Sequence, residues 1–315
     1  MSTGSTPPTT APTAKAALTP RPDAAPISAA FPFESQFADV LDSKMHYIDV
    51  GEGDPIIFLH GNPASSYLWR NIIGHLQPNY RCIAVDLIGM GQSDRPNIEY
   101  TYDDHSRYLS AFIDSLGLDN NITLVIHDWG SMLGFRWASE NTDRVKGIAF
   151  MEAMVRPLTY ADLPGSLKVA MRLMRNPFFN WLLVGVGNIF LKFMLPDLTY
   201  RKMSPDVLGN YQKDYPTVAS RVAVRKFPRE VPFNGYPVRS YDIVTGYVDW
   251  IASTEVPMLL LHGDDGVAIK AAEVDWLRET VTTLEIVNLG HGKHFLPETH
   301  PHRIGAEIAR WRTDI

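Results

Sequence analysis

Asp128 stands where an apolar run, Ile122 to His127, meets Gly130 at the start of a helical pattern, in the segment VIHDWGSMLGF. A tight strand-to-helix turn of this kind pushes one side chain above the edge of a sheet, where the helix N-terminus and its free N–H groups favour negative charge. A carboxylate in that position needs no base to activate it. It can displace a leaving group from an sp³ carbon and become an ester. Position 126 is Ile where the general G-x-nucleophile-x-G pattern has Gly. Read alone, a strand-terminal Asp serves as well for an N-cap.

A second segment, HGNPASSYLW from His60 to Trp69, follows the strand that should lie beside the nucleophile strand. Its His-Gly-x-Pro turn offers the backbone N–H of Asn62 beside that of Trp129, an oxyanion hole for the tetrahedral intermediate of ester hydrolysis. The Asn62 amide and the Trp129 indole are also neutral donors, and two such donors converging suit a large, weakly basic anion such as chloride or bromide. Singly, Asn62 reads as a turn former and Trp129 as packing. A base for the second step is expected from the loop LGHGKHFLPE, where His294 precedes an apolar pair and a Pro, while His291 sits between glycines as a solvated loop residue. The acid that orients the base has candidates after two strands: Glu152, ending VKGIAFM, and Asp264 or Asp265 in LHGDDG. An acid ending a core strand is costly unless paired, which favours Glu152, and Asp-Asp-Gly is also an ordinary turn; position alone leaves the choice open.

The elements that must position these residues follow a repeating rhythm. Buried or half-buried strands are expected over 44–51, 55–60, 81–86, 122–127 and 145–151, with helices over 67–76, 104–116 and 130–140 between them. After Met151 the rhythm breaks. Residues 156–233 read as several helices without a strand, and the sheet pattern resumes with strands at 258–263 and 284–290, a helix at 271–280 and a last helix from Thr299. Alternation of this kind implies a mostly parallel sheet covered on both faces, an α/β core of 31–155 and 234–315 carrying a helical cap at 156–233. The first 30 residues, rich in Ser, Thr, Pro and Ala, read as a disordered tail without a secretory apolar core.

Twenty-nine Lys and Arg against 35 Asp and Glu leave a net charge of −6, and no basic stripe marks a nucleic-acid binder. Cys82 is the only cysteine, so no intrachain disulfide forms, which fits a reducing compartment. The most apolar stretch, Trp181 to Leu195, contains Asn188 and Lys192 and falls short of the roughly 20 residues a crossing needs. It reads as a buried or interfacial helix. No membrane partner and a cytoplasmic location are the default expectations.

HGNPASSYLWRNI, DLIGMGQSDRP, VIHDWGSMLGF, FMEA and HFLPE together resemble, in order and spacing, the haloalkane dehalogenases of the α/β-hydrolase superfamily, in the subfamily with an Asp-His-Glu triad. The resemblance covers about Phe37 to Trp311 and implies an eight-stranded, mostly parallel sheet. It implies Asp128 as nucleophile, His294 as base, Glu152 as acid, and Asn62 with Trp129 as halide donors. It also accounts for Ile126. Phe190, Leu198 and Pro228 correspond to pocket and tunnel positions, while the LHGDDG turn departs from the Pro-containing turn of the family. The implied substrates are a small halogenated aliphatic compound and water, with halide released and no cofactor or metal. A base of ordinary pKa predicts activity falling below about pH 6. Competing readings are an epoxide hydrolase, for which Tyr160, Tyr200, Tyr211 and Tyr215 supply cap tyrosines, an oxygenase of the coelenterazine-luciferase type, and a binding module that keeps the pocket as a receptor.

Overall fold

A computed structural model describes Met1, residues 26–163 and residues 165–315. The chain builds one eight-stranded sheet in the order β1-β2-β4-β3-β5-β6-β7-β8. The strands are β1 (Gln36–Val40), β2 (Ser43–Val50), β3 (Pro55–Leu59), β4 (Arg81–Val85), β5 (Ile122–Asp128), β6 (Val145–Ala153), β7 (Met258–His262) and β8 (Leu284–Asn288). From β4 to β8 all neighbours are parallel, and β2 and β1 add on antiparallel at one edge. Strands covered on both faces carry apolar side chains at every position. Ile56 to Leu59 and Leu124 to Ile126 are accordingly fully buried.

Twelve α-helices are described. In the first half lie α1 (Arg70–Ile73), α2 (Tyr102–Ser115) and α3 (Trp129–Glu140). Between β6 and β7 the chain leaves the sheet for α4 (Gly165–Arg175), α5 (Pro177–Asn180), α6 (Leu195–Asp197), α7 (Pro205–Gln212) and α8 (Val222–Glu230), then returns through α9 (Val238–Ser253). Leu158 and Phe233 pair as an isolated parallel bridge at the two ends of this helical excursion. The C-terminal part adds α10 (Ala271–Thr280), α11 (Leu296–Thr299) and α12 (Pro301–Asp314).

Several elements differ from their sequence reading. The helix expected over 67–76 is a 3₁₀ turn, Ser66–Trp69, followed by the single turn α1. β1 and α9 had no expectation. β1 is a five-residue edge strand with exposed alternate positions, and its short alternation carries little apolar signal. The stretch 181–195 is not one helix. Two pieces, Pro177–Val186 and Phe190–Asp197, meet at a bend of 57°, where Asn188 adopts φ +53°. Gly185, Gly187 and Asn188 weaken the helix there, and π-helical turns at Trp181–Val186 and Phe190–Met194 flank the bend.

Most of the N-terminal segment, residues 2–25, lies outside the described residues. Ser28 and Ala29, placed in a tail by composition, are held to the core: the Ser28 carbonyl accepts from Arg70 Nε at 2.7 Å and the Ala29 carbonyl from the Tyr67 hydroxyl at 2.8 Å. These bonds use backbone acceptors, which composition cannot reveal.

Candidate active site

Asp128 ends β5 and opens α3 with φ +52° and ψ −122°, a conformation an L-residue adopts only under local constraint. Glycine makes the elbow possible. A Cβ on Gly130 would fall onto the Leu59 carbonyl, and one on Gly61 onto the Asp128 carboxylate. Ile126 is tolerated where the general pattern has Gly because Gly134, one helical turn further on, leaves room for its side chain. Ser131 caps the turn, donating to the Asp128 carbonyl at 2.5 Å and accepting from the Met154 N–H at 3.1 Å, and so ties the elbow to the end of β6.

The carboxylate is fixed at both oxygens. The Asn62 backbone N–H donates to Oδ1 at 2.7 Å, and His294 Nε2 lies 3.3 Å from Oδ2. The turn that presents Asn62 is braced by His60, whose Nδ1 meets the Gly61 carbonyl at 2.8 Å while its Nε2 accepts from the Leu87 N–H at 3.0 Å. Behind His294, Glu152 Oε2 lies 3.1 Å from Nδ1. Glu152 is itself at φ +45° and buried. Its carboxylate accepts from the backbone N–H groups of Val267 (2.8 Å), Ala268 (2.9 Å) and Ile269 (3.4 Å). Neither alternative acid reaches His294: Asp264 accepts from the Asn288 amide at 2.9 Å, and Asp265 faces His291 at 3.3 Å on the surface. The loop after β7 therefore supplies amide donors to the acid on β6, not an acid of its own.

Burial alone would lower the His294 pKa, but the flanking carboxylates of Asp128 and Glu152 outweigh it and raise the group to about 10. Burial likewise works against ionised Asp128. The facing His294, with help from the Asn62 N–H, overcomes it and holds the carboxyl near 2. Glu152 sits below its usual range for the same balance of burial against His294 and the loop amides. The two carboxylates thus favour the protonated ring in the free enzyme, whereas the sequence reading took a base of ordinary pKa.

Asn62 and Trp129 both line the cavity beside Asp128. Asn62 Nδ2 donates to the Val224 carbonyl at 3.2 Å, which orients the amide and leaves one of its two protons unused. The Trp129 indole is held by Tyr102 and Phe227, at ring-centre distances of 5.7 and 4.5 Å. The cavity has a volume of about 160 Å³ and is walled mainly by apolar side chains. Phe190, Leu198 and Pro228 all line it, together with Leu167, Met171 and Met194. Of the four tyrosines, none lines it among the described residues: Tyr211 donates to Glu298 and Tyr215 to the Ala64 carbonyl, Tyr200 stacks on His291 and Tyr160 on Phe233.

Sequence reasoning missed three features. His127 Nε2 meets the His294 carbonyl at 2.8 Å, and burial pushes its pKa down to about 4, so a ring that burial keeps uncharged tethers the His294 loop to β5. The amides of 267–269 carry no side-chain signature. Arg156, Glu273 and Asp162 form an ion cluster on the cavity wall, Arg156 Nη2 lying 2.5 Å from Glu273 and 3.3 Å from Asp162. Its members are up to 117 positions apart and join only through the fold.

An ionised carboxylate in an apolar-walled cavity, with the His294–Glu152 pair behind it and Asn62 and Trp129 among the lining residues, is equipped for nucleophilic displacement followed by hydrolysis. Sheet order, elbow and helical excursion define a hydrolase of the α/β-hydrolase fold, and the sequence model of that fold family matches residues 54–301. A haloalkane dehalogenase of Agrobacterium fabrum is 38% identical over 272 residues, covering 86% of this chain and 89% of the relative. One from Sphingobium indicum is 38% identical over 281 residues, covering 88% and 94%. Among solved structures, an ancestral haloalkane dehalogenase superposes with a TM-score of 0.86 at 38% identity over 89% of this chain and 98% of the other. The enzyme DbeA from Bradyrhizobium elkani does so at 0.86 and 35% identity over 89% and 97%. The chain belongs to the haloalkane dehalogenase family.

Proposed function

We propose that this enzyme hydrolyses the carbon–halogen bond of small haloalkanes to alcohol, halide and a proton, through an alkyl ester on Asp128, with residues 156–233 as the cap over the site. Asp128 attacks the halogen-bearing carbon with an oxygen lone pair, forming the C–O bond as the C–halogen bond breaks. The halide leaves toward the Asn62 amide and the Trp129 indole. The ester no longer carries the charge that held the proton on His294. His294 gives that proton to solvent, then takes one from water as the water oxygen bonds to the Asp128 carboxyl carbon. The Asn62 N–H, already 2.7 Å from Oδ1, is placed for the oxyanion that forms there. Collapse breaks the bond to the alkyl oxygen, which takes the proton from His294 and leaves as the alcohol, and the new carboxyl group returns its proton to His294, restoring the carboxylate. Glu152 steadies the imidazolium throughout.

The observation that carries this reading is the elbow carboxylate with one oxygen on Asn62 N–H and the other facing His294 inside an apolar cavity. A volume of about 160 Å³ suits a short halocarbon and is below the roughly 300–1,000 Å³ of sites for drug-sized ligands, which argues against a coelenterazine-sized substrate. The absence of a cavity tyrosine among the described residues argues against epoxide opening. With 1-bromobutane, a pH-indicator assay and halide titration should record one proton and one bromide per turnover. Turnover of an epoxide without bromide release would refute the reading. No nucleic-acid partner belongs to it.

A further inference from the structure

The outer face of the proposed cap differs from the rest of the surface. Leu173 on α4, Phe178 and Phe179 on α5, and Trp181, Leu182 and Val186 on the following turns are all exposed, Phe178 at 61% and Trp181 at 44%. Phe178, Leu182 and Val186 recur every four residues along one flank, and the Phe178 ring lies 5.6 Å from Phe179 and 6.5 Å from Trp181. Apolar residues scattered singly are ordinary on a monomer, whereas a contiguous aromatic patch marks an interaction surface.

The charge around it is equally distinctive. Residues 156–233 hold twelve Lys and Arg against five Asp and Glu, a net of +7 in a chain whose total is −6. Arg156 and Lys226 have carboxylate partners. Lys168, Arg172, Lys192, Arg225 and Arg229 have none among the described residues. Lys168 and Arg172 neighbour Val169 and Leu173 along α4, and Gly185 is flanked by both Arg225 Cδ and Trp181 Cδ1, so the guanidinium stem lies beside the indole.

We infer that this face docks on an anionic lipid surface, the aromatic side chains entering the headgroup region and the cations meeting lipid phosphates. Aromatic rings on one flank with Lys and Arg around them are what interfacial binding requires, and each cation near such a surface adds to the attraction. A second copy is a poorer occupant, because a two-fold interface would set the same unpaired cations against each other. Among the described residues no single helix is long and apolar enough to cross a membrane; docking needs none. Leu167 and Met171 line the cavity from α4, which also carries exposed Leu173. Resting on the proposed dehalogenase reading, the consequence is that apolar substrate dissolved in the bilayer reaches the site through the docked cap.

Sedimentation of the purified full chain with phosphatidylcholine vesicles, with and without phosphatidylglycerol, tests the docking independently of catalysis. Binding should be confined to the anionic vesicles and be lost at high salt. Combining Arg172→Glu with Lys192→Glu, or Phe178→Ser with Trp181→Ser, should weaken it by about tenfold or more, while turnover of 1-bromobutane without vesicles stays unchanged and reports an intact fold. Equal binding to both vesicle types, or none to either, overturns the inference. So does a concentration-dependent dimer that Trp181→Ser dissociates and that ignores vesicles.

Discussion

Asp128 and His294 share one proton economy, and its consequence is a difference between two pH profiles. In the resting enzyme Asp128 is held near 2 and His294 near 10, so alkylation starts from a charged pair across the working range. The kcat/KM for a haloalkane, which reports alkylation, should therefore be flat from about pH 9 down to about pH 5. Once the ester forms, the Asp128 charge is gone and the His294 pKa falls from about 10, burial pressing it further down. The hydrolytic step needs the neutral ring, so single-turnover ester decay should slow as pH falls through the lowered pKa. An acid limb in kcat/KM matching that of ester decay would contradict this separation. The residue types of this machinery were legible in the sequence, because strand-end Asp, His-Gly-x-Pro and a late His are tied to chemistry by position. The choice of Glu152 over Asp264 and Asp265 was not settled by position. It turns on backbone amides at 267–269, to which any side chains could be attached.

At the scale of elements, the site is the meeting of four carboxyl ends: β3 with Asn62, β5 with Asp128, β6 with Glu152 and the loop after β8 with His294. Crevices outside the carboxyl ends of parallel strands are where such sheets bind ligands. Two glycines let these ends approach one another. A methyl on Gly130 strikes the backbone of β3, which cannot move without the sheet, so Gly130→Ala should destabilise the protein by roughly 2–4 kcal/mol. A methyl on Gly61 strikes Asp128 at Oδ1, Cγ and Cβ, and the Cβ is fixed by the elbow backbone, so Gly61→Ala should lose stability as well as most activity. Calorimetry beside a halide assay checks both, and a near-normal melting temperature for either variant would count against the elbow geometry. The central strands were readable because doubly covered strands are continuous apolar runs. β1 and α9 were not, the first being a half-exposed edge and the second following a region read only as cap. The bend at Asn188 was hidden for a related reason: apolar content does not report helix continuity.

For the whole molecule, a buried ion pair within the core is the point to which Tyr211 ties the excursion. Arg70, beside α1's start, places Nη1 2.5 Å and Nη2 2.9 Å from the two oxygens of Glu298 on α11, and Tyr211 of α7 donates to the same carboxylate at 2.6 Å. Both charges are almost fully enclosed. Glu298→Gln leaves the guanidinium buried without its counter-charge, and urea unfolding should register a loss of about 3–5 kcal/mol; a loss under about 1 kcal/mol would mean the pair does not hold α1 to α11. The ester on Asp128 can be trapped and weighed. His294→Gln removes the proton acceptor for water while leaving Asp128 with the Asn62 N–H on its Oδ1. Mixed with 1-bromobutane, that variant should gain the mass of one butyl group, located by peptide mapping on Asp128, and release one bromide per chain without further turnover. An unmodified intact mass after bromide has been released, or a butyl group on any other residue, would contradict the account.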